Sequence, residues 1–116
     1  MKKNFDIDIL ENVIEFFDSI EKKAVEKILH NMRRSQVVLD NKFFKKLNNE
    51  IWEFRTLYNK KQYRILAFWD KTSKTDTLVV GTSGFIKKTQ KTPKKELNKA
   101  EKIRSEYFQS KTTIKN

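Results

Sequence analysis

The spacing of the apolar residues changes along the chain, and this change limits the possible folds more than any other feature. In the first third, apolar residues recur at helical intervals in two sets: Val13, Phe16, Phe17, Ile20 and Val25, Ile28, Leu29, Met32. That spacing is typical of amphipathic helices. From Ile51 onward, aromatic and β-branched residues are grouped in short runs typical of strands. The sequence therefore predicts an α+β protein whose helices precede its sheet.

The two helical sets are separated by polar residues at Asp18 and Ser19. This break predicts an antiparallel helical hairpin, with one bent helix as the alternative. Before it, residues 5–9 alternate apolar and acidic side chains, as a half-buried edge strand does. Asp8 and Glu11 also fit a helix capping box, so the start of the first helix is left open between these two interpretations.

The second half of the chain predicts a sheet. Residues 51–57, 62–69 and 77–85 are expected to form three antiparallel strands in meander order. The first two are joined by a connection of hairpin length, and a polar turn at residues 70–76 leads into the third. Residues 36–47 are mixed in character and predict a packed connection between helices and sheet.

The chain is expected to end in a helix. Thr92 is predicted as its N-cap and Pro93, the only proline, as its first residue. A narrow apolar stripe then runs from Leu97 to Tyr107. With 116 residues there is room for one domain. We predict that this domain covers residues 1–109 and that residues 110–116 form a flexible tail.

The charge balance points to an anionic partner. Lys and Arg number 26 against 15 Asp and Glu, a net charge of +11, which favours nucleic acid or an acidic protein. The lack of cysteine excludes disulfide scaffolds, thiolate zinc sites and cysteine nucleophiles, and is compatible with a reducing cytosol. No apolar run approaches the ~20 residues that span a bilayer. We therefore expect a cytoplasmic protein without a membrane anchor.

His30 is the single histidine. One chain therefore cannot build a His–His catalytic pair or a multi-histidine metal site, and we expect no metal and no other cofactor. His30 lies beside the apolar stripe of the second predicted helix and is expected at the helix surface, outside any site.

Two arginines interrupt the predicted strands. Arg55 and Arg64 would lie near one another in the hairpin, on one face of the sheet. Such a pair could hold a phosphate through bidentate hydrogen bonds. The alternative is structural: each arginine lies on a solvated face or pairs with a neighbour such as Glu53.

A run of lysines follows the last predicted strand and enters the last helix: Lys87, Lys88, Lys91, Lys94 and Lys95. Lys94 and Lys95 fall in the first helical turn, where the macrodipole disfavours a cation. An anion docked there would reverse this balance, so the run predicts phosphate binding, with a solvated basic loop as the alternative. Phe85 could present a ring for base stacking or belong to the core.

These residues constrain the chemistry of an enzyme acting on RNA. Cleavage of a phosphodiester needs stabilisation of negative charge on the phosphoryl oxygens, a base for the 2′-hydroxyl and an acid for the leaving oxygen. Arg and Lys side chains can stabilise the charge. A lysine whose pKa is lowered in the crowded positive cluster would then serve as base or acid. This scheme requires no metal.

Three ordered strings carry a family resemblance: Ile-Trp-Glu-Phe-Arg at residues 51–55, Tyr-Arg-Ile-Leu-Ala-Phe at 63–68, and Gly-Phe-Ile-Lys-Lys-Thr-Gln-Lys-Thr-Pro at 84–93. The chain resembles the HigB-type, phage-derived branch of the RelE/ParE toxin superfamily. The resemblance implies a small α+β toxin with N-terminal helices packed on a twisted antiparallel sheet. It also implies a cognate, HigA-like antitoxin with a helix-turn-helix domain, so that DNA would be bound only through the antitoxin complex.

The same resemblance implies an activity. Members on the RelE side cleave mRNA in the ribosomal A site without metal, so the implied partners are the ribosome and mRNA. The matching catalytic positions here are Arg55, Arg64, Lys87 and Lys88, with Lys91 as an accessory, while Lys94, Lys95 and Phe85 would contact RNA. Many relatives carry a histidine where this chain has Ser83, which implies that lysine replaces it or that cleavage is slower. Two alternatives stay open: a ParE-like inhibitor of DNA gyrase, and an inactive remnant that only binds.

Overall fold

The computed structural model describes residues 2–72 and 77–114, with side chains described as far as residue 111. Residues 73–76, in the expected polar turn, and residues 115–116, in the expected tail, lie outside the described residues. In chain order the elements are β1 (Asp6–Ile9), α1 (Glu11–Asp18), α2 (Lys22–Val37), β2 (Phe44–Lys46), β3 (Trp52–Tyr58), β4 (Lys61–Asp70), β5 (Leu78–Lys87) and α3 (Lys94–Ile114).

The strands form one sheet in the order β1-β5-β4-β3-β2. The predicted antiparallel meander of β3, β4 and β5 is confirmed. Asn59 and Lys60 form the tight turn between β3 and β4, and both have positive φ, as type I′ hairpin turns require. Of the two interpretations left open for the start of the chain, the edge strand is the one observed, and β1 pairs with β5 in parallel, so the sheet is mixed.

The structure adds β2, a strand that the sequence did not indicate. Residues 36–47 were expected to be only a connection, yet Phe44–Lys46 pairs antiparallel with β3. The Phe44 ring is buried and stacks on Phe54 and Trp52, at centroid distances of 4.4 and 4.8 Å. Three residues are too few to show an alternating pattern, which is why the strand is not visible in the sequence.

One face of the sheet is covered by α1 and α2, and the predicted break between them is confirmed. Ser19 ends α1, and its backbone N–H and its hydroxyl both donate to the Phe16 carbonyl. Gly84 on β5 allows α1 to lie close to the sheet, because a Cβ at this position would overlap the ring of Phe16. The main core lies between these helices and the sheet.

The opposite face is only partly covered by α3. This helix packs over Leu66 and Phe68 of β4, with Ala100 buried against the former and the Tyr107 ring 5.1 Å from Phe68. The part of the same face nearest the β3–β4 turn, where Arg55 and Gln62 lie, remains open. The sequence thus folds into a sheet with one apolar face and a second face that is half apolar and half cationic.

Both ends of α3 differ from expectation. The Pro93 carbonyl accepts from the N–H groups of Glu96 and Leu97, so Pro93 stands at the N-cap position and the helix begins at Lys94. Thr92, expected to be the cap, instead donates its hydroxyl to Glu53. At the other end the helix continues to Ile114 where a tail was expected from residue 110. Within the described residues, no helix is both long and apolar enough to cross a membrane.

Candidate functional site

The hairpin of β3 and β4 sets Arg55 directly opposite Arg64. The predicted proximity of the two arginines is therefore confirmed. Strand alternation puts both side chains on the face of the sheet that α3 leaves partly open, together with Glu53 and Gln62. Lys87, the last residue of β5, pairs with Gln62 and so reaches the same region. Three adjacent strands thus contribute to one cationic cluster.

Glu53 lies at the centre of this cluster. Its Oε1 is 3.5 Å from Nε of Arg55 and 3.4 Å from Nε of Arg64. Its Oε2 accepts a 2.8 Å hydrogen bond from the Thr92 hydroxyl. The carboxylate is only 1% exposed, and pairing with Glu53 was the structural alternative for the two arginines. One carboxylate shared by two guanidiniums leaves an excess of positive charge, so the pairing and an anion site are compatible.

The two arginines differ in access to solvent. Arg64 is 4% exposed, and its terminal nitrogens donate to the Tyr63 carbonyl and to Gln62 Oε1. Burial lowers the pKa of Arg64, Glu53 raises it and Arg55 lowers it further, but an arginine still remains charged. The Arg55 side chain is 28% exposed and donates to the Asn41 carbonyl at 3.3 Å. Arg64 is therefore a fixed buried charge, and Arg55 is the one that can contact a ligand directly.

Lys87 has the electrostatic surroundings that the sequence suggested for a lysine in proton transfer. It is half-buried, and burial lowers the pKa of its ammonium group. The positive charge of Arg64 lowers this pKa further, Glu53 partly opposes the effect, and Arg55 and Lys45 add to the lowering. A lysine in this position loses its proton at a lower pH than one in water.

A cavity of about 400 Å³ opens beside these groups and is lined by Arg55, Gln62, Lys87, Lys88, Thr89 and Gln90. Lys88 is exposed and follows the end of β5 directly. The structure therefore brings together Arg55, Arg64, Lys87 and Lys88 in one region. Every residue type that lines the cavity can donate a hydrogen bond, which suits an anionic ligand.

Other predicted residues lie outside this cavity. Lys91, Lys94 and Lys95 are exposed but do not line it, and the last two stand on the first turn of α3. Phe85 is 8% exposed and belongs to the core under α3, in agreement with the structural alternative for it. His30 is exposed on α2, as expected.

Ser83, which the family resemblance set in place of a histidine, is buried in β5. Its hydroxyl lies 3.2 Å from that of Thr82, and it does not line the cavity. Among the residues that the structure describes, no group of three His, Cys, Asp or Glu side chains is close enough to hold a metal ion.

A second polar network, which the sequence did not indicate, lies at the far end of β4. The buried Asp70 carboxylate accepts hydrogen bonds of 2.6 Å from the Tyr107 hydroxyl and Lys111 Nζ of α3. It also accepts from the Thr72 hydroxyl at 2.6 Å and from the Thr72 N–H at 2.8 Å. Burial raises the pKa of Asp70, but these hydrogen bonds outweigh it and hold the pKa well below its ordinary value. Asp70 is therefore an anchor for α3. In the sequence, the one sign of this network was a charged residue at the end of an apolar strand.

Comparison with known proteins gives a family match and a similar solved structure. Residues 15–105 match the model of a family described as Phage derived protein Gp49-like. A chain in the crystal structure of the archaeal RelE–RelB complex from Pyrococcus horikoshii OT3 is similar in fold, with a TM-score of 0.50 and 15% sequence identity. The similarity covers 72% of this chain and 94% of that chain. No curated protein sequence matches.

The fold defines a small α+β protein of the RelE type. The family match covers most of the sequence, and the chain belongs to the Gp49-like family of phage-derived proteins, a family of RelE-superfamily toxins. The resemblance found in the sequence is thereby confirmed at the level of the RelE superfamily, as is the predicted fold class.

Proposed function

We propose that this protein is the toxin of a type II toxin–antitoxin module and that it cleaves mRNA on the ribosome. The observation that carries the proposal is the pairing of Arg55 and Arg64 with a buried Glu53, beside a cavity that Lys87 and Lys88 line, on the open half of the sheet. Membership of a family of RelE-superfamily toxins supports the same activity.

In this proposal each residue has a distinct role. Arg55 and Lys88, the more accessible cations, hold the scissile phosphate and stabilise the negative charge that grows on its oxygens. Arg64 adds a fixed positive charge behind them, oriented by Glu53. Lys87, whose pKa is lowered, transfers the proton, either from the attacking 2′-hydroxyl or to the leaving 5′-oxygen. The reaction proceeds by this route without a metal.

The lysines beyond the cavity would bind flanking RNA. Lys91 acts as an accessory cation, and Lys94 and Lys95 offer charges beside the first turn of α3, where free N–H groups also favour a phosphate. Phe85 would support this region from the core and would not stack on a base.

The proposed partners are the ribosome, mRNA and a cognate antitoxin. The similarity to a chain of a RelE–RelB complex supports an antitoxin as partner, and the resemblance to HigB-type toxins suggests a HigA-like protein with a helix-turn-helix domain. DNA would then be contacted only through the antitoxin complex. Action on translating ribosomes would place the protein in the cytoplasm.

Cell-free translation tests the proposal. Purified protein is added with and without active ribosomes, and the 5′ ends of the mRNA are mapped by primer extension. We expect cuts only in translated message, and loss of these cuts in Arg55→Ala and Lys88→Ala. Lys102→Ala, an exposed lysine of α3, is the control and should cleave normally. Folded protein that stops growth without cutting RNA would contradict the proposal and favour a gyrase-type inhibitor.

A further inference from the structure

A second cavity of about 400 Å³ lies next to the cationic cluster, on the side toward α2. It shares Arg55 and Gln62 with the first cavity, so the two cavities adjoin at these side chains, and we call them together the groove. Besides the cluster residues, its walls include Lys27, Lys42, Phe43 and Leu57. No pattern in the sequence marked any of these four as a binding residue.

The walls of this second cavity are held in fixed positions. The loop that carries Lys42 and Phe43 is tied to Arg55, whose backbone N–H donates to the Phe43 carbonyl at 2.8 Å and whose guanidinium donates to the Asn41 carbonyl. On the other side, Asn31 of α2 donates to the Thr56 hydroxyl of β3 at 3.1 Å. Lys27 is one helical turn before Asn31, so this bond also fixes the position from which Lys27 projects.

The chemistry of the cavity suits a single-stranded nucleic acid. Lys27 and Lys42 are exposed cations, and no acidic residue is among the lining residues, all of which fall within residues 2–72. Apolar residues line the cavity beside these charges: Leu57 is 66% exposed, and Phe43 is also a lining residue. Cations that follow a backbone, together with apolar and aromatic surface for bases, are how proteins bind single strands.

We propose that this second cavity binds the nucleotides on one side of the scissile phosphate. The inference rests on the proposed function, since it takes single-stranded RNA as the ligand. A strand whose phosphate lies at Arg55 must leave the first cavity, and Arg55 also lines the second cavity, together with Lys27 and Lys42. Lys27 and Lys42 then pair with flanking phosphates, and Leu57 lies against a base.

Fluorescence anisotropy with labelled, non-cleavable 2′-O-methyl oligouridylates tests this. We expect a trinucleotide with its phosphate at Arg55 to be held at the first cavity, whereas a nonanucleotide is long enough to reach the second as well. We compare the original chain with Lys27→Gln/Lys42→Gln and with the matched control Lys99→Gln/Lys102→Gln, which removes two exposed lysines of α3. The variant should bind the nonanucleotide about five- to tenfold more weakly and the trinucleotide normally, and its log–log salt slope should fall by roughly 0.7 per lost phosphate contact.

Several results would overturn the inference. These are equal affinity of the variant and the original chain for the nonanucleotide, no gain in affinity of the original chain with RNA length, or an equal loss in the control variant. Lost antitoxin binding with RNA binding intact would assign the cavity to an acidic protein instead. Ribosome-dependent cleavage is measured separately. If the protein cleaves mRNA but the second cavity does not contribute to RNA binding, only this inference is wrong. If the second cavity contributes to RNA binding but mRNA is not cleaved, only the proposed nuclease activity is wrong.

Discussion

Glu53 is a buried carboxylate shared by two guanidiniums, and its substitution tests what holds the cluster together. In Glu53→Gln the amide can still accept from Thr92, but Arg64 becomes a buried cation without its counter-ion. Breaking a buried ion pair in this way costs about 3–5 kcal/mol. Since Arg55 remains partly solvated, we expect the free energy of unfolding to fall by about 3 kcal/mol. Urea unfolding measures this change.

Glu50→Gln is the matched control for that experiment. Glu50 pairs with Arg104 at 2.9 Å, but both side chains are substantially solvated, and surface pairs contribute only about 0–1 kcal/mol. If the two variants unfold at the same urea concentration, Glu53 is not the counter-ion that stabilises Arg64.

Lys87→Arg separates positive charge from proton transfer. Arginine keeps the charge that attracts a phosphate but does not release its proton at any pH used for translation. We therefore expect mRNA cleavage in cell-free translation to fall about 100- to 10,000-fold, while the salt dependence of ribosome binding is unchanged. Lys91→Arg, an exchange at an exposed accessory position, should cleave normally. Normal cleavage by Lys87→Arg would assign proton transfer to another group.

At the scale of elements, α3 depends on Asp70 for its attachment. Hydrogen bonds lower the pKa of this carboxyl in the folded protein. Their contribution to the free energy of unfolding is therefore fully present when the pH is above the ordinary pKa of 3.8. Below that pH the unfolded chain takes up a proton that the folded chain does not, so stability falls. Urea unfolding at about pH 5 and about pH 3 should show this loss, and Asp70→Asn should lose less over the same interval. An equal loss in both would exclude Asp70 as its source.

The contact between α1 and β5 depends on Gly84. A Cβ there would overlap the Phe16 ring, so Gly84→Ala should force the helix away from the sheet and lower the free energy of unfolding by about 1–3 kcal/mol. Gly81→Ala is the control. Its Cβ would lie 3.3 Å from Ile9 and 3.4 Å from Ile65, so these side chains need to move less than Phe16 does in Gly84→Ala. Thermal unfolding of both variants measures the difference. Gly81→Ala as the less stable variant would contradict this packing argument.

Patterns of nearby residues in the sequence predicted the features of the fold that depend on residues close together in the chain. The helices, the meander and the meeting of Arg55 with Arg64 followed from spacing and from the length of one hairpin connection. The parallel pairing of β1 with β5 joins segments far apart in the chain, and no local pattern encodes it. The central position of Glu53 was visible only as an alternative, because alternation places it beside Arg55 but does not show that Thr92 also reaches it.

For the molecule as a whole, the fold separates a structural face of the sheet from a cationic one. The net charge of +11 would act over a distance on any polyanion, whereas the side chains that line the groove are placed to make close contacts with one. The distinction matters because long-range attraction is screened by salt for all exposed lysines, whereas phosphate contacts release counterions at defined positions.

Ribosome binding should therefore weaken steeply with rising salt concentration. Part of this salt dependence should come from the phosphate contacts of the residues that line the groove. Cosedimentation with ribosomes at rising KCl concentration should give a linear log–log plot. Arg55→Ala/Lys88→Ala should reduce its slope by roughly 0.7 per lost contact, more than the control Lys99→Ala/Lys102→Ala, which removes equal charge from the exposed side of α3. Equal slopes would mean that net charge alone attracts the ribosome. Binding that salt does not affect would instead indicate a packed protein interface, because contacts between apolar surfaces release no counterions.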